Sequence, residues 1–98
     1  MDINKTVDGT TVTLAVSGRL DTTTSPELEA AVDECISACK LLVFDFANLD
    51  FISSAGLRVL LKAQKIMNKQ GSMLVKNSND VVLEVFEVTG FIDILTVE

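Results

Sequence analysis

Hydrophobic and polar residues change their spacing several times along this chain of 98 residues, and each change marks a new element. Residues 3–7 alternate in part, and Asp8-Gly9 is a typical hairpin turn. Residues 11–17 then alternate between apolar and polar positions. The pattern predicts two antiparallel strands joined by a hairpin, with the first strand toward the edge of a sheet.

Apolar residues recurring every three or four positions predict three helices. Small or polar residues precede each helix, as is usual for N-caps, and Gly follows the second and third. The predicted starts are Ser25-Pro26 (Ser as N-cap, Pro at the first helical position), the small residues 53–56, and Ser78 or Asn79. The predicted ends lie near Ala38, Gly71 and Val88.

The remaining apolar segments predict strands. Residues 41–46 form an apolar run broken only by Asp45, which is typical of a strand buried on both faces of a parallel sheet. Residues 47–52 are predicted as a turn, residues 73–75 as a short strand, and residues 92–97 as a short closing strand. The order β-β-α-β-α-β-α-β predicts one α/β domain over residues 1–98. Its mixed, mostly parallel sheet carries an N-terminal antiparallel hairpin strand and three to four helices.

Charge and composition exclude several classes of function. Eight basic and fourteen acidic residues give a net charge of −6, which argues against nucleic-acid binding and against anionic membrane surfaces. The absence of His removes the commonest general base and zinc ligand. Because so few catalytic groups are present, we expect a protein that is not an enzyme. No signal peptide or membrane-spanning run is evident, so we also expect it to be cytoplasmic.

Metal and cofactor sites are not predicted. Cys35 and Cys39 lie four apart on the first predicted helix, where they serve as small apolar residues, and no further ligand completes a zinc site. No P-loop or GxGxxG motif is present. Asp21, Asp45 and Asp50 are poorly spaced for Mg²⁺, since Asp45 falls in mid-strand.

Two predicted loops reach the carboxyl edge of the sheet, where sites of α/β proteins gather. Residues 18–24 follow the second strand and residues 50–56 follow the third, so Asp21, Ser53 and Ser54 are expected to share one surface. A Ser in this position is an ordinary N-cap. Gly56 falls in the first turn, where Gly costs about 0.5–1 kcal/mol relative to Ala, which suggests that another backbone or a bulky group approaches it closely.

The sequence offers no groups that would activate the hydroxyl of Ser54 as a nucleophile. No His is present as a base, the GxSxG motif is absent, and Lys62, Lys65 and Lys69 are expected on the outer face of the second helix. The start of a helix does tolerate a phosphate, through its free N–H groups and its dipole. The residues therefore favour either a plain cap or a reversible phosphate switch.

Three motifs in register resemble one family over essentially the whole chain. The segment Phe51-Ile52-Ser53-Ser54-Ala55-Gly56-Leu57-Arg58-Val59-Leu60-Leu61 resembles the signature of the STAS domain, which occurs in bacterial anti-sigma factor antagonists. Residues 16–21 with Thr24, Pro26 and Leu28 resemble its second strand and first loop, and Phe86 with Thr89-Gly90-Phe91 resembles its C-terminal end.

This resemblance implies an interaction protein in a partner-switching pathway. Such antagonists bind an anti-sigma factor that is also a serine kinase of the GHKL type, and they release it when the kinase phosphorylates them. A PP2C-type phosphatase reverses the modification. The acceptor falls on Ser54, with Ser53 as the second candidate because many members have Asp there. The predicted partner-binding residues are Asp21, Thr22, Thr24, Ser53, Ala55, Gly56, Leu57 and Arg58.

An alternative use of the same domain stays open. A STAS-like chain also fits as an accessory subunit of a transport or stress-sensor complex, with Ser54 as a plain cap. Arg58 stands where some family members have a small residue, so it changes the presumed docking face. In the switching hypothesis, a phosphate adds about −1.5 to −2 charges beside Asp21 and Asp50 and drives release by repulsion.

Overall fold

The computed structural model describes residues 1–98 as a four-stranded sheet with three α-helices. The elements are β1 (Asp2–Asp8), β2 (Thr11–Leu20), α1 (Ser25–Cys35), β3 (Leu41–Ile52), α2 (Ser54–Gln70), β4 (Ser72–Lys76) and α3 (Asp80–Thr89), with 3₁₀ turns at Ile36–Ala38 and Phe91–Asp93. The strand order is β1-β2-β3-β4, in which β1 is antiparallel to β2 and the other pairs are parallel. The predicted α/β class and the mixed sheet are confirmed.

The core lies between the sheet and its helices. Each β-α-β connection moves one strand further across the sheet, so right-handed crossovers place α1 and α2 on the same face. Val82 and Phe86 of α3 belong to the same core cluster, so α3 packs on that face as well. The alternation of β2 matches this arrangement: Val12, Leu14 and Val16 are buried in the core, whereas Thr11 and Thr13 are only half-buried. None of the helices combines the length and the apolar character that crossing a membrane requires.

The two edges of the sheet differ. β1 is the outer strand on one side and most of its residues are exposed. On the other side, Val97 forms a single parallel bridge with Val75 of β4. The predicted closing strand over residues 92–97 is therefore wrong except for this bridge, because the chain first makes a 3₁₀ turn at Phe91–Asp93.

β3 is longer than predicted, and the predicted turn over residues 47–52 is wrong. The strand continues to Ile52 because its pairing with β2 shifts register twice, between Ala15 and Ser17 and between Gly18 and Arg19. These shifts leave Ala47 and Asn48 together on the surface, which breaks the regular alternation of a strand.

The ends of α1 also differ from the prediction. α1 begins at Ser25 with Thr24 as the N-cap residue, so Pro26 is at the second helical position. The helix ends at Cys35, and the chain turns before Cys39, so the two thiols do not share a helix face. Only Cys39 is fully buried, and burial raises the pKa of both thiols.

The start of α3 confirms one of the two predicted caps. The side-chain oxygen of Asn79 accepts a hydrogen bond from the backbone N–H of Val82 at 2.8 Å, and its amide donates to the carbonyl oxygen of Leu49 at 2.9 Å. Asn79 therefore both caps α3 and ties it to β3.

Candidate functional site

The carboxyl ends of β2 and β3 meet where α1 and α2 begin. The backbone N–H of Ser53 donates to the carbonyl oxygen of Leu20 at 2.8 Å, which holds the start of α2 against the end of β2. A shallow groove of about 300 Å³ runs between the first turns of the two helices. It is lined by Thr22, Ser25, Pro26, Glu29, Ala55, Arg58 and Val59.

Asp21 organises the loop that leads into α1. One oxygen of its carboxylate accepts hydrogen bonds from the backbone N–H groups of Thr23 at 3.0 Å and Thr24 at 3.1 Å. The Thr24 hydroxyl donates to the carbonyl oxygen of Arg19 at 2.8 Å and accepts from the backbone N–H of Asp21 at 2.9 Å. The hydrogen bond from the Thr24 N–H is the main cause that lowers the pKa of Asp21, so the loop is built around an ionised carboxylate.

Ser25 completes this network from inside the protein. It is buried, and its hydroxyl donates to the carbonyl oxygen of Asp21 at 2.5 Å. Thr22, by contrast, is exposed beside the groove. The loop is therefore held by its own hydrogen bonds, and Thr22 is its exposed residue along the groove.

The two serines before the second helix differ in accessibility. Ser53 is the N-cap residue of α2, but its side chain accepts no capping hydrogen bond, and its hydroxyl oxygen is buried without a partner. The expected side-chain cap is therefore absent at Ser53, and the expectation that Ser54 is a plain cap is also wrong, because the N-cap position falls on Ser53. Ser54 is the first residue of the helix and is exposed. Of the two hydroxyls, only that of Ser54 lies open to another molecule.

Gly56 allows the side chains of Leu20 and Ile52 to approach α2 closely, as its place in the first turn suggested. A Cβ atom there would lie 2.7 Å from Cγ of Leu20 and 2.8 Å from Cγ1 of Ile52. The neighbouring Ala55 and Leu57 are also buried, and of these three residues only Ala55 lines the groove. The small residues thus let α2 rest directly on the ends of β2 and β3.

The basic residues of α2 do not all point away from the rest of the protein. Lys62 is exposed, as expected, but it also reaches α1: its ammonium lies 3.4 Å from a carboxylate oxygen of Glu29 and 3.2 Å from one of Asp33. The hydrogen bond to Asp33 is the main cause that raises the pKa of Lys62. Arg58 is exposed on the wall of the groove and forms no ion pair within 4.0 Å.

A pair that the sequence analysis missed stands beside the site. The Arg19 guanidinium carbon lies 4.8 Å from the centre of the Phe51 ring, and its Nε lies 3.9 Å from a carboxylate oxygen of Asp21. Arg19 and Phe51 are register partners on adjacent parallel strands. Predicting their contact required the register of β2 and β3, which the predicted turn at 47–52 concealed.

The three aspartates considered for Mg²⁺ do not form a group. Asp45 lies within β3, where a hydrogen bond from the Asn77 side chain at 3.0 Å is the main cause that lowers its pKa. Asp50 is exposed further along the same strand, while Asp21 is bound within its own loop. These carboxylates have separate environments, and no cluster of three or more potential metal ligands is formed.

Comparison with known proteins places this site in a family. The family model of the STAS domain matches residues 2–98. The chain belongs to the STAS domain family. The first turn of α2 and the loop after β2, which carried the resemblance, are thus parts of a STAS domain.

Two relatives share part of its sequence. The chain is 43% identical over 72 residues to the "Putative anti-sigma factor antagonist BtrV" of Bordetella bronchiseptica, an alignment that covers 72% of this chain and 60% of that protein. It is 34% identical over 85 residues to the anti-sigma F factor antagonist of Paenibacillus polymyxa, which covers 84% of this chain and 73% of that protein.

Solved structures share the fold. The unphosphorylated anti-sigma factor antagonist SpoIIAA superposes with a TM-score of 0.85 at 21% identity, over 99% of this chain and 88% of that one. The phosphorylated form of SpoIIAA from Bacillus superposes with a TM-score of 0.77 at 20% identity, over 99% and 91% of the two chains. At this level of identity, the superpositions establish the fold of the STAS domain.

Proposed function

We propose that this STAS domain is an anti-sigma factor antagonist in a partner-switching pathway. In its unphosphorylated form it binds an anti-sigma factor that is a serine kinase of the GHKL type, and it thereby frees a sigma factor for transcription. Phosphorylation of Ser54 releases the kinase, and a PP2C-type phosphatase restores binding. The names of the Bordetella and Paenibacillus relatives support this choice.

The observation that carries the proposal is the difference between the two serines. The Ser54 hydroxyl is exposed at the first turn of α2, whereas the Ser53 hydroxyl is buried. A kinase must bring its nucleotide to the acceptor oxygen, and of the two serines only Ser54 is exposed in this structure. The adjoining groove, with Thr22, Ala55 and Arg58 on its walls, is the surface on which we place the partner.

Charge explains why a phosphate would cause release. The group adds about −1.5 to −2 charges to a domain of net charge −6, next to the ionised Asp21. Repulsion worth about 3 kcal/mol would weaken binding by roughly 100-fold. The hydrogen-bonded loop at Asp21 and the buried Ala55, Gly56 and Leu57 keep the backbone in place, so release follows from charge rather than from refolding.

The test uses the kinase encoded nearest to this protein's gene. We expect one phosphate adduct by intact mass after incubation with ATP, its loss in Ser54→Ala, and its retention in the matched control Ser53→Ala. Ser54→Asp is expected to bind the kinase roughly 100-fold more weakly than Ser54→Ala. An adduct that persists in Ser54→Ala contradicts the assignment of the acceptor. No adduct in the wild type favours the accessory-subunit alternative.

A further inference from the structure

We propose that Arg58 binds the phosphate group of phosphorylated Ser54 and holds it on the surface of α2. The inference rests on the proposed function for the presence of that phosphate, and it assigns Arg58 as the residue that pairs with it. Phosphorylation would then reposition the Arg58 guanidinium as well as add negative charge at Ser54.

Helical spacing brings the two side chains together. Ser54 and Arg58 are four residues apart in α2, and side chains at this spacing lie on one face with Cβ atoms about 5–6 Å apart. Both residues are exposed, so neither has to leave a packed environment to meet the other. An acidic group placed four residues before a basic one is also the favourable orientation on a helix. The guanidinium group can offer two parallel N–H donors to phosphate oxygens.

Arg58 is the basic residue near Ser54 that has no other partner. Lys62, one turn further along α2, is held by Glu29 and Asp33 at 3.4 and 3.2 Å. Arg19 is held by Asp21 at 3.9 Å and lies over the Phe51 ring. Glu29 is the acidic residue that lines the groove with Arg58, and it is already paired with Lys62, so the Arg58 guanidinium is free to turn toward residue 54.

The same arginine also lines the groove assigned to the partner. When its guanidinium pairs with the phosphate, the positive charge of Arg58 is no longer available to a partner in the groove. The phosphate on Ser54 adds negative charge beside the groove at the same time. A phosphate on Ser54 would therefore change two parts of the docking surface together.

The test measures the phosphate itself. Phosphoserine is inserted at position 54 during translation, and the second pKa of its phosphate is followed by ³¹P NMR. That pKa is near 6 for a free phosphoserine. In wild type we expect it to be lower than in Arg58→Gln by at least about 0.3 unit, since the guanidinium favours the dianion. Arg58→Lys should restore part of the shift, because an ammonium supplies charge without the two-pronged geometry.

Lys65→Gln is the matched control, since it removes an exposed charge from the same helix further from residue 54. Its phosphate should titrate as in wild type. The carboxylates of Asp21 and Glu29 and the ammonium of Lys62 are present in every variant, so they do not contribute to the differences. Equal titration of the Arg58→Gln and Lys65→Gln proteins would overturn the proposal. No kinase is involved, so a kinase that ignores Ser54 would contradict the proposed function without affecting this result.

Discussion

The starts of α1 and α2 use similar residues in opposite ways. At α1, Asp21, Thr24 and Ser25 all form hydrogen bonds within the loop. At α2, the Ser53 hydroxyl has no partner and the Ser54 hydroxyl faces solvent. The polar side chains at the start of α1 form hydrogen bonds within the protein, whereas at the start of α2 the Ser54 hydroxyl is left available to another molecule. This difference separates a structural cap from a candidate modification site.

The two helix starts also differ in how they meet the sheet. The loop before α1 is joined to the end of β2 by hydrogen bonds of Thr24, whereas α2 contacts the sheet through Gly56, against Leu20 and Ile52. The Ser53–Leu20 hydrogen bond joins them. This hydrogen bond and the apolar contact at Gly56 together fix the position of the exposed Ser54 hydroxyl.

The largest expected effect comes from closing the apolar contact with Gly56→Ala. The new methyl group would lie within 3.0 Å of side-chain atoms of both Leu20 and Ile52. Overpacking of a core costs about 1–3 kcal/mol, and the higher helix propensity of Ala offsets up to about 1 kcal/mol. We expect a net loss of roughly 1–2 kcal/mol in the free energy of unfolding, measured in urea. A more stable variant would show that the contact has room for a methyl group.

A smaller effect should separate the hydroxyls of Ser25 and Ser53. Ser25→Ala removes a buried hydrogen bond to the carbonyl oxygen of Asp21 and should cost about 0.5–1.5 kcal/mol. Ser53→Ala removes a buried oxygen without a partner, so unfolding by urea should show a loss below about 0.5 kcal/mol or a slight gain. If Ser53→Ala lost about 1 kcal/mol, as an N-cap would, the contrast between the helix starts would fail.

A modest loss of stability at neutral pH is expected for Asp21→Asn, because Asn keeps an acceptor for the N–H groups of Thr23 and Thr24 but lacks the charge. The difference should depend on pH. The pKa of Asp21 is lowered in the folded protein from its ordinary value of 3.8, so its carboxylate contributes stability above pH 3.8. That contribution is lost as the pH falls through the lowered pKa. The stability advantage of wild type over Asp21→Asn should therefore shrink below pH 3.8, and a constant advantage in acid would contradict it.

The sequence predicted the elements whose residues follow a regular period. The alternation at residues 11–17 and the helical spacing in α2 predicted both correctly, because burial on one face dictates the pattern directly. The residues 47–52 were misassigned because Ala47 and Asn48 lie at a register shift, where the strand loses its period of two. A shift in pairing depends on the neighbouring strand and leaves no signal within the segment itself.

The candidate site was predictable in outline. Asp21, Ser53, Ser54 and Gly56 do lie at one end of the sheet, as the order of strands and loops indicated. The orphaned hydroxyl of Ser53 was not predictable, because it depends on how α2 packs. The Lys62–Glu29 pair also required the relative position of two helices, which periodicity does not contain.

The polar character of β1 bears on how copies of this protein behave toward one another. An unpaired sheet edge invites a strand from another molecule and can start aggregation. β1 carries exposed charges at Asp2, Lys5 and Asp8, and it is shielded by no helix or further strand. Desolvating these charges opposes edge-to-edge pairing, and the net charge of −6 adds repulsion between whole molecules. The exposed charges of β1 thus oppose association of two molecules through this edge of the sheet.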